Sequence, residues 1–311
     1  MGPFKKIITC CILFFSLLIY SCSEPGQSAV EQTYKPGLHL GTGLKYYYTI
    51  SNETATDFKV NDQEVKNSNS MLVGLLYEIV ADRGNGFKLK ITFDSIHIKT
   101  QKGDSKTEMD AAHSAFSLDP VEKLLGALKG SSLSVNINSK GTITATSGYD
   151  ELIDKIMVKG GIADEAQKSQ LRNELNSLFG NGFIKNNIES LSLFPDSALR
   201  VGESWTKQQP VAPELKLDIT TSYILTSIAD SIASVDAVSD FNKTSSTADI
   251  LGTSVTTTLQ GNQEGNYKID MRTGLLQKGK SNTSLEGTFQ VMGRDVPVKM
   301  KITKTLSGKK L

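Results

Sequence analysis

The chain is poor in the residues that most often do chemistry. Its 311 residues hold 3 cysteines, 3 histidines and 1 tryptophan. Cys10, Cys11 and Cys22 all fall in the first 22 positions, so the rest of the chain can form neither a disulfide nor a cysteine-based zinc site. His39, His97 and His113 have no ligand-type residue three or four positions after them, and no metal is expected. There is no Gly-x-Ser-x-Gly elbow and no Walker loop, and Gly41-Thr42-Gly43 lacks the strand, helix and third glycine of a dinucleotide loop. Charge of one sign is missing too: 34 basic residues face 33 acidic ones. No Lys/Arg cluster precedes Lys309-Lys310, which removes the electrostatic basis for nucleic-acid binding. The expectation is a chain that is not an enzyme and takes no cofactor.

What is present begins with an address. Lys5 and Lys6 precede an apolar run from Ile7 to Tyr20, and the segment ends Ile19-Tyr20-Ser21-Cys22. A basic start, a short apolar stretch and a small residue before the cut form a secretory signal. At about 15 residues the run is shorter than the roughly 20 that span a bilayer. Cys22 directly after Ser21 resembles the lipobox of bacterial lipoproteins. That resemblance implies cleavage between Ser21 and Cys22, acylation of Cys22, and a mature chain held to a membrane by several acyl chains. Ser23-Glu24 after the cysteine, rather than Asp, implies by the same analogy the outer membrane of a cell envelope.

Residues 1–21 are thus a signal peptide and 22–43, rich in Pro, Gly and polar residues, a lipidated tether; an edge strand in its last few residues is the alternative. A single domain is expected over 44–311. From Leu44 the period is two: Leu44, Tyr46, Tyr48 and Ile50 share one face. Met71–Val80 is a second strand. A turn at Asp82–Gly86 leads to a third, where Phe87, Leu89, Ile91 and Phe93 alternate with Lys88, Lys90 and Thr92. The apolar parity then jumps at Asp94-Ser95 to Ile96 and Ile98, the mark of a β-bulge. Asp57, Asp62, Glu64, Asp104, Glu108 and Asp110 are taken as loop acids without EF-hand spacing.

The middle changes period. Asp119-Pro120 offers a cap and first-turn proline before Val121, Leu124, Leu125 and Leu128. Leu133, Val135 and Ile137 form a hairpin with Ile143. Tyr149–Val158 and Asp164–Phe179 are amphipathic helices, Gly180 ends the second, and 183–193 is a third short one. Strands return at 215–228, 232–241, 250–260, 265–270, 275–291 and 296–306. The fold class is α+β: a large curved antiparallel sheet, or half-barrel, with a helical layer (119–193) inserted between its N- and C-terminal strands.

The most specific internal string runs from Leu193 to Trp205 and reads Phe-Pro-Asp … Val-Gly-Glu-Ser-Trp. With Tyr267–Leu276, it resembles a family of uncharacterised secreted bacterial lipoproteins, for which no activity is implied. A weaker likeness, in architecture alone, is to periplasmic lipoprotein carriers, half-open barrels whose helices plug an apolar hollow. It implies that Tyr46, Tyr48, Phe87, Phe93 and Trp205 line a hydrophobic pocket; the alternative is that they are core. Two functions follow. One is a membrane-anchored, non-catalytic binding module for an apolar or envelope-derived ligand. The other is a structural or interaction protein of the envelope with protein partners. A continuous apolar cavity between the helices and the sheet favours the first, a solid core the second.

Overall fold

The period-two runs become strands of unusual length. A computed structural model describes residues 33–35, 37–60, 63–114, 117–193, 195, 197–212, 217–250 and 253–311. In chain order the N-terminal elements are β1 (Thr33–Tyr34), β2 (Lys45–Val60), β3 (Gln63–Asp82), β4 (Gly86–Lys102) and β5 (Ser105–Asp110). The middle holds α1 (Pro120–Leu128), β6 (Ser132–Asn138), β7 (Ile143–Ser147), α2 (Tyr149–Lys159), α3 (Glu165–Phe179) and α4 (Asn181–Glu189). After these come β8 (Leu199–Arg200), β9 (Ser204–Ala212), β10 (Leu217–Ala229), β11 (Ile232–Ile250), β12 (Thr253–Asp270), β13 (Leu276–Val291) and β14 (Arg294–Lys310). Twelve strands make one open sheet in the order β7-β6-β4-β3-β2-β14-β13-β12-β11-β10-β9, with β5 also on β4, and every pairing is antiparallel. The α+β class and the helical insertion are as expected. Pairing β14 to β2 joins the two ends of the chain at the sheet centre.

Local chemistry explains the boundaries. Asp119 caps α1, its carboxylate accepting from the Val121 and Glu122 amides, with Pro120 in the first turn. Asp164 caps α3 through the Gln167 amide. The bulge falls where parity predicts it: Gly74 pairs with Ser95 and Leu75 with Phe93, leaving Asp94 as the extra residue. The Asp94 carboxylate turns outward and accepts the Tyr47 hydroxyl at 2.9 Å. On β12 and β13, Gly261 and Gly287 meet a neighbouring backbone so closely that a Cβ would stand 1.9 and 2.0 Å from the Ser284 and Thr258 carbonyl oxygens. Such glycines let long strands bend into a curved sheet.

The inward face carries the core. Helices α1 to α4 cover one half, where Phe93 meets Phe179 edge-on at 5.8 Å between centroids and Phe179 meets Phe183 at 5.4 Å. Farther along the strands lies a second apolar cluster of Ile219, Phe241, Leu259, Leu285, Val298 and Met300.

Three expectations are corrected. The segment read as tether up to residue 43 is body from Thr33 onward: Tyr34, Leu38 and Leu40 are buried core, and β1 pairs with β8. Apolar anchors at every few positions outweigh its glycines and proline. The strands expected at 250–260 and 265–270 are one strand, β12, running straight through Gly261 and Gly265. Asp57, Glu64, Glu108 and Asp110 lie in strands rather than loops, on outward register positions.

Candidate functional site

Directly paired residues in an antiparallel sheet share a face and stand about 5 Å apart at Cβ, so the register maps the inward face row by row. The row segments Ala233, Ile269 and Leu276, and Gly308, Tyr48, Leu75 and Phe93, lie under the helices. Here the space is filled. The cavity bounded by Leu38, Tyr46, Tyr48, Tyr77, Leu191 and their neighbours measures about 20 Å³, room for roughly one water molecule. The hydroxyls of Tyr46 and Tyr77 are buried there without a hydrogen-bond partner. Burial, then the nearby Asp270 carboxylate, pushes the Tyr46 hydroxyl pKa up, and burial alone raises that of Tyr77. The Asp270 carboxyl itself is held low, first by the hydrogen-bonded Arg272 side chain, whose guanidinium donates to it at 3.0 and 2.9 Å.

The five aromatic residues marked in the sequence therefore part company. Tyr46 and Tyr48 wall the small void; Phe87 and Phe93 are solid core. Trp205 lies apart from them, stacked on Tyr223 with centroids 5.2 Å apart and rings inclined by 18°. The void walled by Tyr46 and Tyr48 is too small for a ligand. Cys22 and Ser21 lie outside the described residues, as do Phe194 and Asp196 of the Leu193–Trp205 string. In the rest of that string Gly202 takes a left-handed turn (φ 92°), and Glu203 reaches back to accept the Arg200 amide at 2.8 Å.

Past the helical cover the inward rows turn polar. One row runs Thr221, Ser239, Gln263, Thr283, Ile302, Thr54 and Asn69. Ser239 donates to Thr221 at 2.9 Å, and Thr283 donates to Gln263 at 3.0 Å, so its buried part is internally satisfied. The adjacent row runs Tyr223, Ala237, Gly265, Ser281, Lys304, Asn52 and Met71. From β13 across β14 to β3 these rows are open: Ser281, Lys304, Asn52, Thr54, Thr56 and Ile302 are all half-buried. We call this the slot. Lys304 has neither an ion-pair nor a hydrogen-bond partner for its side chain among the described residues, and burial pulls its amine down to a pKa of about 8. One row on, opposite Thr56, the Asn67 side-chain oxygen is buried and unpartnered. The slot was invisible in the sequence because its residues sit in polar strand halves without apolar alternation; the one available signal was Lys304 at the parity of Met300, Ile302 and Leu306.

A second concavity, about 490 Å³, lies on the outward face across β11 to β14. The side chains of Gln260, Asn262, Ser284, Glu286, Lys299 and Lys301 flank it, and Gln260 is bonded to Glu286 within it. His97 is likewise outward, paired with Glu108 at 2.7 Å.

These features define a class: a long-stranded, open antiparallel sheet, capped by helices over one half of its inward face, with polar rows and a second apolar cluster on the rest. Within that class the chain belongs to a family of unknown function, DUF6263, whose model matches residues 84–276. Among curated proteins nothing matches. Among solved structures, the chain is similar to Pseudomonas aeruginosa OccK7 (OpdD), with 6% identity and a TM-score of 0.25 over 86% of this chain and 100% of that one. It is also similar to the COG4313 outer membrane channel from Pseudomonas putida F1, with 8% identity and a TM-score of 0.21 over 92% of this chain and 99% of that one.

Proposed function

We propose that this chain is a non-catalytic binding module of a bacterial cell envelope, tethered to the outer membrane by acyl groups on Cys22, and that it takes its ligand in the slot. The observation that carries this reading is the contrast along one sheet face. Under the helices the inward side chains pack closely, the cavity walled by Tyr46, Tyr48 and Tyr77 holding about one water, while beyond them the face keeps half-buried hydrogen-bonding groups and an uncompensated lysine. Desolvating an amine without a counterion is costly, and folds that retain such groups do so most often at functional sites. The test is native mass spectrometry of the full chain extracted gently from envelopes. A stoichiometric adduct that leaves on denaturation supports the module.

The solid core under the helices favours a second reading, an interaction protein of the envelope. Under it the extracted chain flies without an adduct, and crosslinking in envelopes recovers a defined protein neighbour. Anchoring is tested separately: Cys22→Ala should move the protein from the membrane to the soluble fraction, and a variant that stays membrane-bound rules out the acyl tether.

A further inference from the structure

The slot has a chemical bias that narrows its ligand. On β2, β4, β13 and β14, on β12 as far as Ile269, and on β3 from Gln63 to Ile79, no inward register position holds Asp or Glu, while Asp270, at the end of β12, lies buried near Tyr46 under the helices; Glu53, Asp57, Glu64, Glu264 and Glu286 all face outward. Lys304 stands inward between Ser281 and Asn52, and Lys102 stands inward at the rim opposite Asn67. A chain with near-zero net charge therefore presents a cationic inward wall. The remaining lining is amide and hydroxyl: Asn52, Thr54, Thr56, Asn67 and Asn69, with Ile302, Met71 and Met300 as its apolar minority, Met300 and Ile302 joining the second apolar cluster. The unpartnered Asn67 oxygen needs a donor, which an anion cannot supply and a ligand hydroxyl can. Lys304 and Asn67 are two rows, about 13 Å, apart along the strands, a separation that a single small anion cannot bridge.

We propose that the slot binds an acidic oligosaccharide, with Lys304 pairing its carboxylate or phosphate and the Asn and Thr side chains hydrogen-bonding its hydroxyls. This rests on the binding-module reading and adds the ligand class to it. Apolar chains fit poorly, because the side chains that would hold them are outnumbered by groups needing hydrogen bonds.

The experiment is calorimetric titration of the full chain in lipid nanodiscs with trigalacturonate, its fully methyl-esterified form, phosphorylated maltotriose, maltotriose, and inorganic phosphate alone. At least one acidic trisaccharide should bind, and the carboxylate and phosphate arms identify which acid is preferred. Esterification, or loss of the phosphoryl group, should weaken binding about tenfold or more, the value of one charged hydrogen bond. Lys304→Ala should do the same, with Lys304→Arg partly restoring affinity and the outward Lys301→Ala leaving it unchanged. The proposal is overturned if no acidic probe binds, if neutral forms bind as tightly, or if inorganic phosphate alone binds as well as the sugar. Since the acid-against-neutral comparison uses the unaltered chain, a poorly folding variant does not blunt the test. An apolar adduct in native mass spectrometry would remove this proposal while leaving a binding module in place.

Discussion

Gly308→Ala offers the sharpest check on how tightly the helix-covered half is packed. Gly308 lies opposite Tyr48 across the β14–β2 ladder, and a Cβ there would stand 2.2 Å from Tyr48 Cε1 and 2.7 Å from Cδ1 and Cζ. Ordinary contact begins near 3.4 Å, so ring and strand must separate by about 1.2 Å. The ring has little freedom to yield. It is 2% exposed and meets Tyr77 edge-on at 5.2 Å between centroids. Overpacking of this kind costs about 1–3 kcal/mol, which corresponds to a fall of roughly 2–10 °C in Tm for a domain of this size. Gly182→Ala is the matched control: nothing lies within 4 Å of its added Cβ in α4, so the same change should gain about 0.5–1 kcal/mol from helix propensity. Urea unfolding of the full chain, followed by far-ultraviolet circular dichroism, gives both values. If Gly308→Ala unfolds within about 0.5 kcal/mol of the parent at an unchanged m-value, the inference of a close-packed tyrosine layer is wrong.

Other expectations follow from unpaired groups. The folded-state amine of Lys304 is depressed to about 8, below the unfolded value of about 10.4, so its charged form destabilises the fold. That cost is fully present below pH 8 and fades as pH rises towards 10.4, because across that window the unfolded chain binds the extra proton. Lys304→Met should therefore unfold at higher urea than the parent at pH 7, by about 1–3 kcal/mol after discounting for its half-exposed position, with the gap closing above pH 10; a pH-independent gap contradicts the assignment. Tyr77→Phe removes a buried hydroxyl with no partner, so stability should stay level or rise by about 1 kcal/mol; a loss beyond about 1 kcal/mol would mean that the hydroxyl is bonded.

Much of the architecture was legible because it rests on local periodicity. The bulge at Asp94, the cap at Asp119, the α3 stop at Gly180 and the turn before Leu275 each leave a chemical mark within a few residues. The missed elements have no such mark. In β3 the stretch from Gln63 to Ser70 is polar on both faces apart from Val65, and β5 and β9 are strands only because a neighbour supplies the ladder. Tertiary pairing decided them, as it commonly does for strands. The site was less legible than the fold for the same reason. Tyr46, Tyr48, Phe87, Phe93 and Trp205 stood out as aromatic, but aromatic strand residues pack first, and the slot falls where alternation fades into asparagine and threonine.

Tyr34 is already locked into the body by the pairing of β1 with β8, and this sets a bound on the proposed anchoring. If Cys22 carries acyl groups, the covalent span from Cys22 to Thr33 is no more than about 35–40 Å even fully extended. The 20-residue strand β3 is itself about 66 Å long. Under that proposal the far end of such a strand would stay within roughly 10 nm of the lipid, and reach would select the neighbours of the slot before its chemistry does.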